Sequence, residues 1–214
     1  ADSTAHYNTL MALLASETAT PTSGELKNAS TFTPLAGTLG TVASYFGNRL
    51  TGKPTPISQT CQRNFVLLAT DGNPTGKTDG SMYTLADQTS TYNAGTGAWT
   101  YSTAANDVFN RITGLRSLAI TNNAGVNGTY DVQTYVVGLG DSVANPASVA
   151  TLNRMASLGG TGQAYLASDS ASLTAAFARI STDIIARTGA SSSVALNAGS
   201  WAADTDTYQA KFNP

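Results

Sequence analysis

Charge is scarce in this chain. Of its 214 residues, 11 are Lys or Arg and 13 are Asp or Glu, 11% in all, against about 25% in an ordinary soluble domain. With a net charge of −2 and no clustered basic residues, the chain has no field to neutralise phosphates, so nucleic acid is not an expected partner. Cysteine is nearly absent as well. Cys61 stands alone, which excludes an internal disulfide and leaves either a reduced structural thiol or a pair with a cysteine outside these residues. Since exported proteins rarely keep an exposed free thiol, Cys61 is expected to be buried and unreactive, or bridged. His6 is the only histidine, and any mechanism needing two histidines in one chain is excluded. No run of about 18 apolar residues occurs, so no membrane span is expected. Ala1-Asp2-Ser3-Thr4 has neither the basic nor the apolar region of a signal peptide.

What replaces charge is hydroxyl. The chain holds 32 Thr and 21 Ser, about a quarter of its residues, a solvent shell that suits an exported surface protein. Its length fits one domain, or one with a small appendage, and is enough to bury a sizeable core.

Three apolar, β-rich runs stand out: Asn64 to Thr70, Val132 to Gly138 and Gln163 to Ala167. The first two are continuous enough to read as strands buried on both faces. Helical patterns separate them. Leu35, Leu39, Val42, Ala43 and Phe46 share one face, with Thr33 placed as N-cap and Pro34 at the first helical position. Val108, Phe109, Ile112, Leu115 and Ala119 make a second helix, Pro146 opens a third with Val149, Leu152 and Met155, and a fourth carries Leu173, Ala176, Phe177, Ile180 and Ile184. Strands alternating with such helices predict an α/β fold, a small parallel sheet with right-handed crossovers and helices on both faces. Residues 73 to 104 show no sustained period and read as a long, functional excursion. From Ser191 the pattern changes to short alternating pieces, Val194 to Leu196 and Tyr208 to Phe212, which predict antiparallel strands leaving the α/β unit.

Thr70-Asp71-Gly72 falls where a parallel strand ends, and open α/β sheets bind ligands at the carboxyl ends of their strands. Two readings of Asp71 stand open: a ligand to a cation, or a turn residue bonding its own backbone with Gly72 at positive φ. Asn73, Thr78 and Asp79 add oxygens nearby, at spacings that do not match an EF-hand. Thr33 likewise reads as a plain N-cap or, together with Asp71, as an oxygen ligand of a hard cation. Gly140-Asp141-Ser142 imitates the nucleophile block of flat-sheet esterases, but no histidine follows Ser142 to activate it. A strand-to-helix turn is the preferred reading there. Trp99 and Tyr101 read either as exposed stacking residues for a sugar or as staples fixing the long loop.

Placed in order, these blocks resemble the von Willebrand factor A-type domain of PilY-like proteins, the type IV pilus tip adhesins and assembly factors. The resemblance covers roughly residues 30 to 214. It rests on Thr33-Pro34-Leu35-Ala36, on Cys61-Gln62-Arg63-Asn64-Phe65 leading into Thr70-Asp71-Gly72, on Thr134 to Gly140, on Leu152-Asn153-Arg154-Met155-Ala156 with Gly159-Gly160-Thr161, on Tyr165-Leu166-Ala167, and on the tail Tyr208 to Asn213.

The resemblance implies a metal-ion-dependent adhesion site with Mg2+ or Ca2+ as cofactor, and two ligands carry over, Thr33 and Asp71. The first loop of such a site, Asp-x-Ser-x-Ser after an apolar strand, has its nearest counterpart in Asp2-Ser3-Thr4-Ala5-His6, which departs from the pattern at His6. Residues 1–190 are then expected to form a von Willebrand factor A-like domain lacking its first strands, and 191–214 a β linker toward a following domain. The implied function is non-enzymatic adhesion and pilus assembly on the surface of a Gram-negative bacterium. Implied partners are minor pilin subunits at the pilus tip, or a host or surface receptor, with the missing sheet strand supplied by the same protein or a neighbouring subunit. The alternative is a structural filament or capping subunit with a degraded metal site.

Overall fold

The computed structural model describes residues 3–13 and 32–189. It begins with helix α1 (Ser3–Leu13), which takes up Ser3 to His6. Of the stretch proposed as a counterpart of the first metal loop, Ser3 to His6 is therefore helical and is not a loop at a strand end, while Asp2 lies outside the described residues. The expected strands at Val194 to Leu196 and Tyr208 to Phe212 lie outside the described residues, as does the whole of the 191–214 linker.

Helix α2 (Leu35–Phe46) turns Leu35, Ala36, Leu39 and Phe46 inward. Its hydroxyls do not compete with the helix: Thr38, Thr41 and Ser44 each donate to the carbonyl four residues back. The same back-bonding recurs at Thr113, Thr151, Thr174 and Thr182. A chain poor in ions and rich in Thr thus tolerates hydroxyls on its helices.

The parallel sheet has the order β1–β6–β7, where β1 is Asn64–Thr70, β6 is Val132–Leu139 and β7 is Tyr165–Ala167. Between β1 and β6 the chain forms the short helix α3 (Leu85–Gln88), the hairpin β2 (Thr91–Asn93) and β3 (Ala98–Thr100), the helix α4 (Thr103–Arg116), and a second hairpin, β4 (Leu118–Thr121) and β5 (Asn127–Tyr130). Two expectations change here. The 73–104 excursion contains a hairpin, and Ala119, assigned to the second helix, lies in β4.

After β6 comes a 3-10 turn at Asp141–Val143, then α5 (Pro146–Leu158), β7 and α6 (Ser170–Thr188). Each long helix after α2 starts on a side-chain cap. Ser102 accepts from Ala105 N–H at 3.1 Å, Asn145 from Ser148 N–H at 2.9 Å with Pro146 following, and Asp169 from Ser172 N–H at 2.7 Å in a capping box.

Alternation along β6 sorts the core into two layers. Val132 and Val136 join α2, α4 and α5 in the main cluster, with Leu39, Val108, Ile112, Leu152 and Met155 fully buried. Tyr135 and Val137 point the other way, where α6 supplies Ile180, Leu173 and Ile184. Helices therefore lie on both faces, as the sequence predicts. The second face is only partly covered, because α6 packs on β7 and β6. Beyond it, β1 is less buried than its apolar run suggested. Leu67 is 47% exposed, and β1 is the edge of the sheet among the described residues.

Candidate functional site

Strand β1 delivers Asp71 to the carboxyl end of the sheet. The turn there is closed by Thr70, whose hydroxyl donates to Gly72 carbonyl at 2.7 Å and accepts from Gly72 N–H at 3.3 Å. Gly72 is not among the positive-φ glycines, so its expected left-handed role does not hold.

Thr33 reaches the same place from the start of α2. The N-cap of that helix is Pro34, and no side chain caps it, so the expected capping by Thr33 is not formed. The physical reason lies 42 residues away. Thr33 N–H donates to Thr75 Oγ1 at 2.8 Å, and Thr33 carbonyl accepts from Leu35, Thr75 and Gly76 N–H at 3.0, 3.1 and 3.3 Å. The loop after Asp71 has captured the backbone of Thr33, and helix entry is displaced by one residue. The Thr33 hydroxyl lies 3.7 Å from the point where a Cβ on Gly72 would sit.

Thr33 and Asp71 therefore share one cavity. Both line a cavity of about 500 Å3 at the ends of β1 and β6, with Thr70 and Thr75 as further polar walls and Phe32, Pro34, Leu35, Ala69 and Leu139 as apolar ones. No family model, curated protein or solved structure matches this chain. The reading of the cavity rests on its own chemistry. Hydroxyl and carboxylate oxygens suit a hard cation, whereas a soft metal would want thiolate or imidazole. Among the described residues no group of three or more His, Cys, Asp or Glu stands together. Thr33, Asp71 and Thr75 fit a cation in kind but fall short of its usual six or more oxygens, so water or residues outside this set must supply the rest.

The other oxygens singled out from sequence go elsewhere. Asp79 is exposed and turned into its own loop, accepting from Ser81 N–H and hydroxyl at 2.9 and 2.7 Å. The Ser81 hydroxyl, with the amide, holds the Asp79 carboxyl below the usual carboxylate range. Asn73 donates to the Ser148 hydroxyl at 2.8 Å and faces a separate cavity of about 210 Å3 lined by Ser90, Ser102 and Thr151. Thr78 lines a third, with Asp107 and Arg111.

Tyr101 is a staple, edge-on to Phe109 at 5.0 Å, while Trp99 pairs with the exposed Tyr92 across the β2–β3 hairpin at 5.2 Å. Asp141 lies in the 3-10 turn, which Ala144 N–H closes onto its carbonyl, so the Gly140-Asp141-Ser142 block is the expected strand-to-helix turn. Cys61 is exposed in the turn entering β1. That removes the buried alternative of the two expected for this thiol.

Sequence reasoning passed over Thr75 and Gly76. The only signal for them is the density of Thr and Gly directly after a strand-end Asp, which local rules assign to a turn.

Proposed function

We propose that this chain is part of a von Willebrand factor A-type domain of a PilY-like protein, a non-enzymatic adhesion and assembly module at the tip of a type IV pilus on a Gram-negative cell surface. The observation that supports it most is the meeting of Thr33 and Asp71 in one cavity at the carboxyl ends of a parallel sheet. Thr33 contributes a hydroxyl oxygen and Asp71 a carboxylate, toward a Mg2+ or Ca2+ site completed by upstream residues. When bound, the cation supplies an open coordination position for a carboxylate of the adhesion ligand.

The test is calorimetry with Mg2+, Mn2+ and Ca2+ on the protein extended upstream of Ala1. Affinity is expected to drop at least tenfold in Asp71→Ala. Unchanged affinity in that variant would refute the assignment.

A second reading, a structural or capping subunit of a filament, is favoured by the position of β1 at the sheet edge among the described residues and by the half-exposed Leu67. Unpaired strand edges are templates for another strand, supplied here by the same protein or a neighbouring subunit. Assembly that persists in chelator and fails in Leu67→Lys supports this reading over adhesion. Dependence on divalent cations supports the first.

A further inference from the structure

From the bonds around Thr33 we infer that Thr75 is the positioning residue of the Thr33–Asp71 site. The inference rests on the cation reading above and adds the device that fixes the two ligands relative to each other.

Thr33 and Asp71 come from separate elements, the entry to α2 and the exit of β1. A cation site needs their oxygens at a fixed separation, and neither element secures this alone. Every backbone polar group of Thr33 is taken. Its N–H goes to Thr75 Oγ1 at 2.8 Å, and its carbonyl receives Thr75 and Gly76 N–H as well as Leu35 N–H. The contact is reciprocal: Thr75 takes one hydrogen from Thr33 and gives one back. Thr75 is itself anchored, since its carbonyl accepts Tyr83 N–H at 2.9 Å, and Tyr83 is buried with its hydroxyl on Asp107 of α4. Thr75 therefore ties the helix entry to the loop that follows Asp71, four residues along from the carboxylate. Among the described residues, what remains uncommitted on Thr33 is its hydroxyl, on a residue that lines the cavity. Thr75 lines the same cavity, and its hydroxyl oxygen keeps a lone pair after accepting from Thr33, so it also offers a third oxygen there.

Gly76 completes the clip. A Cβ there would stand 3.0 Å from Phe32 Cβ and 3.1 Å from Pro34 Cβ, so the bare glycine backbone donates to Thr33 without displacing either neighbour.

Two measurements test the role separately from the cation. The first is amide hydrogen exchange at Thr33 in the 214-residue chain without metal. In the near-isosteric Thr75→Val the Thr33 N–H loses its acceptor and its exchange is expected to speed at least tenfold, while Thr75→Ser keeps the wild-type rate. The second is Mn2+ affinity of the protein extended upstream of Ala1, expected to fall about tenfold or more in Thr75→Val and to be restored in Thr75→Ser, as for other residues that orient metal ligands. A protected Thr33 amide in Thr75→Val overturns the inference. So does faster exchange with unchanged Mn2+ affinity, provided Asp71→Ala lowers that affinity. If Asp71→Ala leaves Mn2+ binding untouched, the cation reading itself fails, and the exchange result then reports only the clip.

Discussion

The buried ring of Tyr135 in β6 sends its hydroxyl to Asp183 Oδ2 of α6 at 2.6 Å. Arg187 holds the same carboxylate at 2.7 Å and reaches on to Gln133 Oε1 and Gly160 carbonyl at 3.0 and 3.1 Å. This knot sits at the start of β6, the end of the sheet opposite the Thr33–Asp71 cavity, and it fastens the only helix on that face among the described residues.

Tyr135→Phe keeps the ring and its contact with Phe65 but removes the bond. The expected loss is about 1 to 2 kcal/mol, below the full value of a charged hydrogen bond because the Asp183 side chain is 36% exposed. Thermal denaturation checks it, at about 2 to 4 °C per kcal/mol. The Tyr135 bond is the main cause that holds the Asp183 carboxyl below the usual range. Its contribution is therefore present above that range and lost as pH falls through the lowered value. Acid unfolding of Tyr135→Phe should lack this part, and an acid profile parallel to the wild type would count against the assignment.

At the alkaline end the signs reverse. Burial first, then the bonds to Asp107 and Asp183, push the phenols of Tyr83 and Tyr135 up to about 12. Folded phenols that hold their protons more tightly stabilise the chain fully below about pH 10 and lose that contribution between pH 10 and 12. Among the nine tyrosines, Tyr83 and Tyr135 should ionise late in an ultraviolet titration. One transition near pH 10 for all nine would contradict the burial of both rings.

Glycines at two sites give opposite signs. Gly76→Ala places a methyl against Phe32 and against the Cα of Pro34 at 3.2 Å. Backbone cannot step aside as a flexible side chain would, so the expected cost is about 1 to 3 kcal/mol, with faster exchange at Thr33. Gly114→Ala, on an exposed turn of α4 with nothing within 4 Å, should stabilise by about 0.5 to 1 kcal/mol. Urea denaturation of the two variants measures both, and equal shifts would show that the close approach at Gly76 is not limiting.

Cys61, being exposed, should react with a thiol reagent in the native 214-residue chain without denaturant. Under the reading proposed above, a longer form of the protein isolated without reductant should show Cys61 blocked by a second cysteine. A freely labelled Cys61 in both settings would leave the thiol without the expected bridge.

How much of this was legible depended on the range of the forces involved. Strand β1 was readable to the residue because Asn64 to Thr70 is a continuous apolar run with turn residues on both sides. Four long helices followed from periodicity, with Pro34 and Pro146 marking two of their starts. The hairpins β2–β3 and β4–β5 were missed because strands of three or four residues give too few alternations to separate from loop. Ala119 continued the helical period of α4 while the chain had already turned at Ser117, which ends that helix. At the candidate site, Thr33 and Asp71 line one cavity, yet the cap assigned to Thr33 is not formed. A local rule weighs the bonds within one turn, whereas the bond that decides Thr33 comes from Thr75. The exposure of Leu67 was equally invisible, since an apolar run carries no record of whether its second face is covered.

The register of β1 on β6 has a kinetic consequence. Every rung from Asn64↔Val132 to Thr70↔Gly138 joins residues 68 positions apart, and the intervening chain holds both hairpins and α4. Closing so long a loop carries its entropy cost before any rung repays it, so pairing of β1 with β6 should be slow and should follow the local elements. Substitutions in the hairpins are then expected to act mainly on the rate of folding. Those at Leu68 or Val136, which meet across the sheet, should act mainly on the rate of unfolding.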